Sequence, residues 1–271
     1  MLTCRLCTEK GRPVRAVTSL AGEIYLLRDK ERDQVEVYDV ITYRLSRRLT
    51  VPNVSLFTDI TSCEYFRCAY IGDHTDECVH RLDVQGAITR WAVNDKPQGL
   101  SVNAAHNVIV ICRRVQKMKE FSSHGELLRE ITSLPADVVN PWHAIQTRSG
   151  QFIVCHGYHT DPIHRVCMIS ADGRHVVHSH GGPWGSDSGQ YNVPTRLAVD
   201  DNGFVFVADL INSRVTLLSP TLEYVRDVVS RDRLKGSPRS LYLDTKRRLL
   251  YAAVNKQTDD RWKGRVVVFP V

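Results

Sequence analysis

Pro194-Thr195-Arg196-Leu197-Ala198-Val199-Asp200, followed by Gly203-Phe204-Val205-Phe206-Val207-Ala208-Asp209, reads as two short apolar strands joined by a tight turn. The runs are rich in β-branched and aromatic residues, and Asp201-Asn202-Gly203 between them supplies turn chemistry. The same arrangement returns along the chain, with openers at Pro13, Phe57, Pro97, Pro141, Pro194 and Pro238. Three positions after each opener stands Ala16, Ile60, Leu100, Ala144, Leu197 or Leu241, and ten further on Leu26, Tyr70, Val110, Val154, Val207 or Tyr251, so that one register is expected in all six copies. Spacings of 44, 40, 44, 53 and 44 residues between openers fall in the range of propellers and solenoids.

Radial repetition leaves only short, protected strand edges, which predicts an all-β, six-bladed β-propeller with four-stranded blades spanning residues 1–271 as a single domain. The last copy supplies three runs, at 239–244, 249–254 and 265–271. Residues 2–7 are expected to add the fourth strand and close the ring. With 42% hydrophobic residues in 271, the chain can bury one well-formed core. It carries no apolar stretch of transmembrane length and no apolar signal segment at its start, and these features predict a cytoplasmic chain away from membranes; a monomer is expected.

Eight cysteines are spread among the apolar runs rather than framing loops. Cys68, Cys112 and Cys155 are expected as small buried hydrophobes. Cys63 with Cys68, and Cys155 with Cys167, are the pairs that an oxidising compartment would close. Cys4-Arg5-Leu6-Cys7 has zinc-knuckle spacing but no second ligand pair nearby.

The stretch Gly189-Gln190-Tyr191-Asn192-Val193-Pro194, continued by Ala208-Asp209-Leu210-Ile211-Asn212-Ser213-Arg214-Val215, resembles the NHL repeat. Pro97-Gln98-Gly99-Leu100-Ser101-Val102-Asn103 and Pro238-Arg239-Ser240-Leu241-Tyr242-Leu243-Asp244 carry parts of it, while Ile111-Cys112, Cys155-His156 and Ala252-Ala253 replace its V-A-D segment. The nearest resemblance is to the C-terminal propellers of tripartite-motif proteins. That resemblance implies a recognition domain for RNA or protein, and no ligase module is present in this sequence.

In such a ring the residues just after each opener lie near the channel mouth: Arg15, Asp59, Gly99, His143, Arg196 and Ser240, preceded by Val14, Thr58, Gln98, Trp142, Thr195 and Arg239. Loops between second and third strands open on the same face. Copy three contributes Arg113, Arg114 and Lys117, copy four Tyr158 and Arg165, and copy six Lys256, Arg261, Trp262 and Lys263. Asp29, Glu31, Asp33, Asp73, Asp76 and Glu77 make copies one and two more acidic. Cations interleaved with aromatic rings suit phosphates and unpaired bases, and the net charge of +6 points the same way. The candidate ligand-binding set is Arg15, Arg196, Arg239, His143, Trp142, Arg113, Arg114, Tyr158, Arg261, Trp262 and Lys263. RNA and an acidic protein partner both remain open.

A second alternative is a metal-dependent lyase or hydrolase, with His143, His156, His159 and His164 gathering a divalent ion. No catalytic residue and no cofactor is otherwise indicated. The segment Gly181-Gly182-Pro183-Trp184-Gly185-Ser186-Asp187-Ser188-Gly189 reads as a long turn, because a phosphate loop needs a lysine and a following helix. Trp184 at its tip is expected either to pack on the blade edge, the favoured reading, or to stand exposed as a contact residue. Asn103, Asp200 and Asp244 end inner strands, where their side chains serve turn amides, and Asp209 with Asn212 is expected to tie down the neighbouring loop.

Overall fold

The computed structural model describes residues 12–29, 33–258 and 261–271. Six antiparallel sheets follow one another in chain order. Blade 1 comprises β1 (Val14–Leu20), β2 (Glu23–Arg28), β3 (Gln34–Asp39) and β4 (Leu45–Thr50). Blade 2 comprises β5 (Phe57–Cys63), β6 (Cys68–Asp73), β7 (Cys78–Asp83) and β8 (Ile88–Ala92). Blade 3 has β9 (Gly99–Val102), β10 (Val108–Cys112), β11 (Lys117–Phe121) and β12 (Leu127–Ile131), and blade 4 has β13 (Pro141–Gln146), β14 (Phe152–His156), β15 (Ile163–Ile169) and β16 (Val176–Pro183). Blade 5 runs through β17 (Pro194–Val199), β18 (Val205–Asp209), β19 (Arg214–Leu218) and β20 (Tyr224–Val229). Blade 6 shows β21 (Ser237–Asp244), β22 (Leu249–Thr258) and β23 (Arg261–Pro270); the expected closing strand at 2–7 lies outside the described residues.

The chain is a six-bladed β-propeller. Each inner strand packs against the next, and β21 returns to β1. The core is correspondingly divided into one apolar cluster per blade interface, such as Leu27 and Val35 against Ile71 and Leu82 between blades 1 and 2. The cluster that joins Val14, Ile24 and Tyr38 to Tyr251 and Val266 seals blade 6 onto blade 1. Second strands are covered on both faces by neighbouring blades, which is why β6, β10, β14 and β18 are buried from end to end and read as apolar runs, closed by a polar residue in β6, β14 and β18. Outer β4 alternates between half-buried and exposed, as expected of a strand with one wet face.

The constant sequence spacing does not give one cross-strand pairing in all blades. Leu100 faces Val110, Ala144 faces Val154 and Leu197 faces Val207. In blades 1, 2 and 6 the partners are displaced by one: Val17 faces Leu26, Thr61 faces Tyr70 and Tyr242 faces Tyr251. The cause is hairpin parity, since five-residue connections join the first three pairs, whereas a two-residue and two four-residue connections join the others.

Two further differences concern connections. β16 runs through Gly181 and Gly182 to Pro183, pairing with Ile163, His164 and Arg165, so the first part of the glycine-rich segment is strand. Trp184 is 58% exposed rather than packed. In blade 6 the pairing of β22 with β23 continues through Lys256–Lys263, Gln257–Trp262 and Thr258–Arg261, which turns the anticipated loop into a projecting hairpin. The Asx turns are as expected: Asp200 accepts from the Asn202 and Phe204 amides, Asn103 from those of Ala105 and Asn107, and Asp244 from that of Arg247.

Cys63, Cys68, Cys78, Cys112, Cys155 and Cys167 are free, buried thiols. Cys155 and Cys167 are not cross-strand partners, because Cys155 faces Val166 and Cys167 faces Val154. Among the described residues, no helix is long and apolar enough to cross a membrane.

Candidate functional site

The channel mouth is built by a repeated backbone irregularity. In five blades the inner strand slips register just after its opener, between Val14 and Ala16, Phe57 and Asp59, Pro141 and His143, Pro194 and Arg196, and Pro238 and Ser240. A bulge leaves one residue unpaired and re-aims its side chain. Those residues are Arg15, Thr58, Trp142, Thr195 and Arg239. Blade 3 carries Gly99 next to Trp142, where an added Cβ would lie 2.3 Å from the Trp142 carbonyl oxygen, so only glycine admits this close approach.

One step deeper, the channel is closed by charge. Arg196 Nη2 meets Asp59 Oδ1 at 2.6 Å, with both side chains almost wholly buried. Asp59 Oδ2 also accepts the Leu100 amide at 2.7 Å. His143 Nε2 donates to the Leu100 carbonyl at 2.9 Å, and its Nδ1 has no partner among the described residues. Burial, reinforced by the Arg196 charge, pulls the His143 imidazole down to about 3. These residues line a cavity of about 200 Å³ together with Ser101, Leu197 and Tyr242. Arg196 and His143 therefore belong to the channel interior, and their expected place at an open rim is corrected: Arg196 is neutralised across the ring by Asp59.

The mouth itself keeps less balanced charges. Arg15 Nε is paired with Asp29 at 2.6 Å. Arg239 has no hydrogen-bond or ion-pair partner for its side chain among the described residues; burial, and then the Arg15 charge, lower its pKa. Arg239 lines a hollow of about 540 Å³ with Arg12, Asp29, Arg261 and the half-exposed Trp262. Lys263 stands one residue further along the same exposed hairpin.

On the blade 3 and 4 side, Arg113 caps β10 in a short 3-10 turn and lies 4.3 Å from the Trp142 ring and 4.8 Å from that of Tyr158. The two rings are 5.6 Å apart, and Trp142 Nε1 donates to the Gly157 carbonyl at 3.0 Å. The rings expected to be open stacking surfaces thus already carry a guanidinium. Arg113 Nη1 has no hydrogen-bond partner among the described residues, and burial lowers the Arg113 pKa. Arg114 is exposed beside it.

The four histidines do not converge. His156 Nε2 faces Cys167 Sγ at 3.4 Å and is pulled down to about 4, mainly by burial. His164 Nδ1 accepts the Val193 amide at 3.1 Å, so its Nε2 carries the proton and donates to the Tyr158 carbonyl. His159 lies on the exposed loop against the Tyr158 ring. The metal-competent group found among the described residues is another one, Asp73, Cys78 and His80, all buried. The sequence signal for it is Cys-x-His at the start of a third strand, which puts both side chains on one face, opposite an aspartate ending the second strand.

No family model matches the chain, and no curated protein matches it. Solved structures with the same fold do. The RRP9 WD40 repeats superpose with a TM-score of 0.67 at 10% identity, covering 98% of this chain and 97% of that one. A streptogramin B lyase gives 0.66 at 10% identity, covering 100% and 87%. The virginiamycin B lyase from Staphylococcus aureus gives 0.63 at 8% identity, covering 100% and 88%. Identities this low establish the propeller architecture alone.

Proposed function

We propose that the chain is a non-catalytic binding platform whose channel-mouth face takes single-stranded RNA. The observation that carries this reading is the pair of part-buried guanidiniums, Arg113 and Arg239, held without a carboxylate partner among the described residues. Keeping a desolvated charge unpaired is costly, and an anion arriving from outside removes that cost. Phosphates meet Arg239, Arg114, Arg261 and Lys263, while the Trp142–Arg113–Tyr158 stack and exposed Trp262 offer surfaces to unpaired bases. Arg15 contributes through its paired charge. The NHL-like residues of blade 5 and the resemblance to tripartite-motif propellers favour the same reading.

An acidic protein segment would satisfy the same cations and is the second reading. A metal-dependent lyase at the blade 4 histidines is not supported by their geometry, because His143, His156 and His164 each have separate structural partners.

Titration of a labelled single-stranded RNA pool at two salt concentrations tests the proposal. Affinity should fall as salt rises, and Arg239→Ala should weaken binding while reducing the log–log salt slope by about 1. Its unfolding free energy should not fall below that of wild type, because the variant removes a desolvated charge that lacks a partner among the described residues. A wild-type chain that ignores RNA at low salt but binds a polyglutamate peptide would replace RNA with the protein reading.

A further inference from the structure

We propose that blade 2 binds a thiophilic divalent cation of the zinc class between Asp73, Cys78 and His80. The starting point is an unbalanced charge. Asp73 is wholly buried at the end of β6, and Cys78 stands directly opposite it at the start of β7. In blade 5 the equivalent pair is Asp209 and Arg214, whose Nε lies 2.9 Å from Asp209 Oδ2. Blade 2 has replaced that arginine with a thiol, and the next residue on the same face, equivalent to Thr216, with His80. Among the described residues no lysine or arginine forms an ion pair with Asp73. Buried charges are ordinarily paired or coordinate metals.

The replacements are metal ligands with suitable spacing. Cys78 Sγ and His80 Nε2 are 3.4 Å apart, His80 Nε2 and Asp73 Oδ2 are 3.8 Å apart, and all three donor atoms lie within 4.8 Å of one another. A tetrahedral ion with a Zn–S bond of about 2.3 Å and a Zn–N bond of about 2.0 Å holds those donors about 3.5 Å apart. Shifts of a fraction of an ångström to about 1 Å complete the geometry.

The surroundings are already arranged as an outer shell. Asp73 Oδ1 accepts the Leu56, Thr75 and Asp76 amides, whereas Oδ2, among the described residues, accepts the Ser55 amide and faces His80. Such bonds fix a ligating carboxylate in place. A metal takes the imidazole of His80 in its neutral form and Cys78 as a thiolate. Binding therefore replaces the Cys78 S–H bond with an S–metal bond and releases one proton to solvent. Two anionic ligands and one neutral ligand then cancel the charge of the ion. Cys78 also lines a surface hollow of about 510 Å³ with Asp76, Arg90 and Trp91, which gives an entry path and leaves the fourth position to water or Asp76.

The test uses the purified full chain, loaded with Co²⁺ or Zn²⁺ and freed of excess. Wild type should retain about one equivalent and show a thiolate-to-cobalt charge-transfer band, which Cys78→Ser abolishes. His80→Gln should weaken affinity by more than about 100-fold, beyond what loss of an outer-shell contact costs. Cys4→Ser and Cys112→Ser should change neither. A measurement that needs no variant accompanies these: Zn²⁺ should raise the melting temperature of wild type and a chelator should reverse it. Absence of both metal uptake and the melting shift, or a band that survives Cys78→Ser or vanishes with Cys4→Ser, overturns the proposal.

Discussion

Blades 2 and 5 place an aspartate at the same point, the last residue of the second strand, and use it for the same backbone task with different charge chemistry. Asp209 accepts the Asn192 amide from the segment entering its blade, and Asp73 accepts those of Ser55 and Leu56. Blade 5 then surrounds its carboxylate with Asn212 and Arg214. Blade 2 substitutes two more amides, a thiol and an imidazole. Blade 4 removes the charge altogether with His156, which faces Cys167. In blades 2 and 5 a buried carboxylate at this point holds the entering segment for architecture, while the groups opposite it vary and carry the individual chemistry of each blade.

The largest expected effect falls on blade 5. Asp209→Ala strands the mostly buried Arg214 and removes three bonds at once, so it should destabilise the chain by about 3–5 kcal/mol in urea unfolding. A much smaller loss would mean that Asp209 is not the structural member of the comparison.

Blade 4 sharpens the contrast through pH. His156 takes up its proton near 6.5 when unfolded but only near about 4 when folded, because burial holds it down, with Asp137 opposing and Arg165 and His164 adding to the effect. Its contribution is complete above the unfolded value and is lost as pH falls toward the folded one. Wild type should therefore lose about 2 kcal/mol more than His156→Gln between pH 7 and pH 5, read from urea midpoints at each pH. No pH-dependent gap between the two would show that the imidazole is not desolvated.

The smallest effect is a transplant. Cys78→Arg combined with His80→Thr installs the blade 5 pair in blade 2, where the neighbouring surface hollow leaves room for the longer side chain. Stability should stay within about 1 kcal/mol of wild type, and the melting temperature should become indifferent to a chelator. A large loss would show that the two blades differ in backbone as well as in charge.

Much of this molecule was legible in the residues because much of it is local. The Asx turns at Asn103, Asp200 and Asp244 depend on neighbours within five positions, and the tie between Asp209 and Asn212 spans three. Placement of the site was less legible. Arg196 and Arg15 were both expected at the mouth, yet the bulge turns Arg15 outward while Arg196 points into the channel toward Asp59. Trp142 and Tyr158 read as free stacking surfaces because nothing in their own hairpin announces that Arg113 of another blade lies over them.

The number of blades and the order of their inner strands follow from the residues alone, since hydrophobic period and turn chemistry act over a few positions. Which charges are cancelled is set by the folded ring. Ring closure brings Asp59 to Arg196 across 137 residues of chain while giving Arg113 and Arg239 no such partner among the described residues, and a partner chosen by geometry at that separation leaves no periodic trace in the chain.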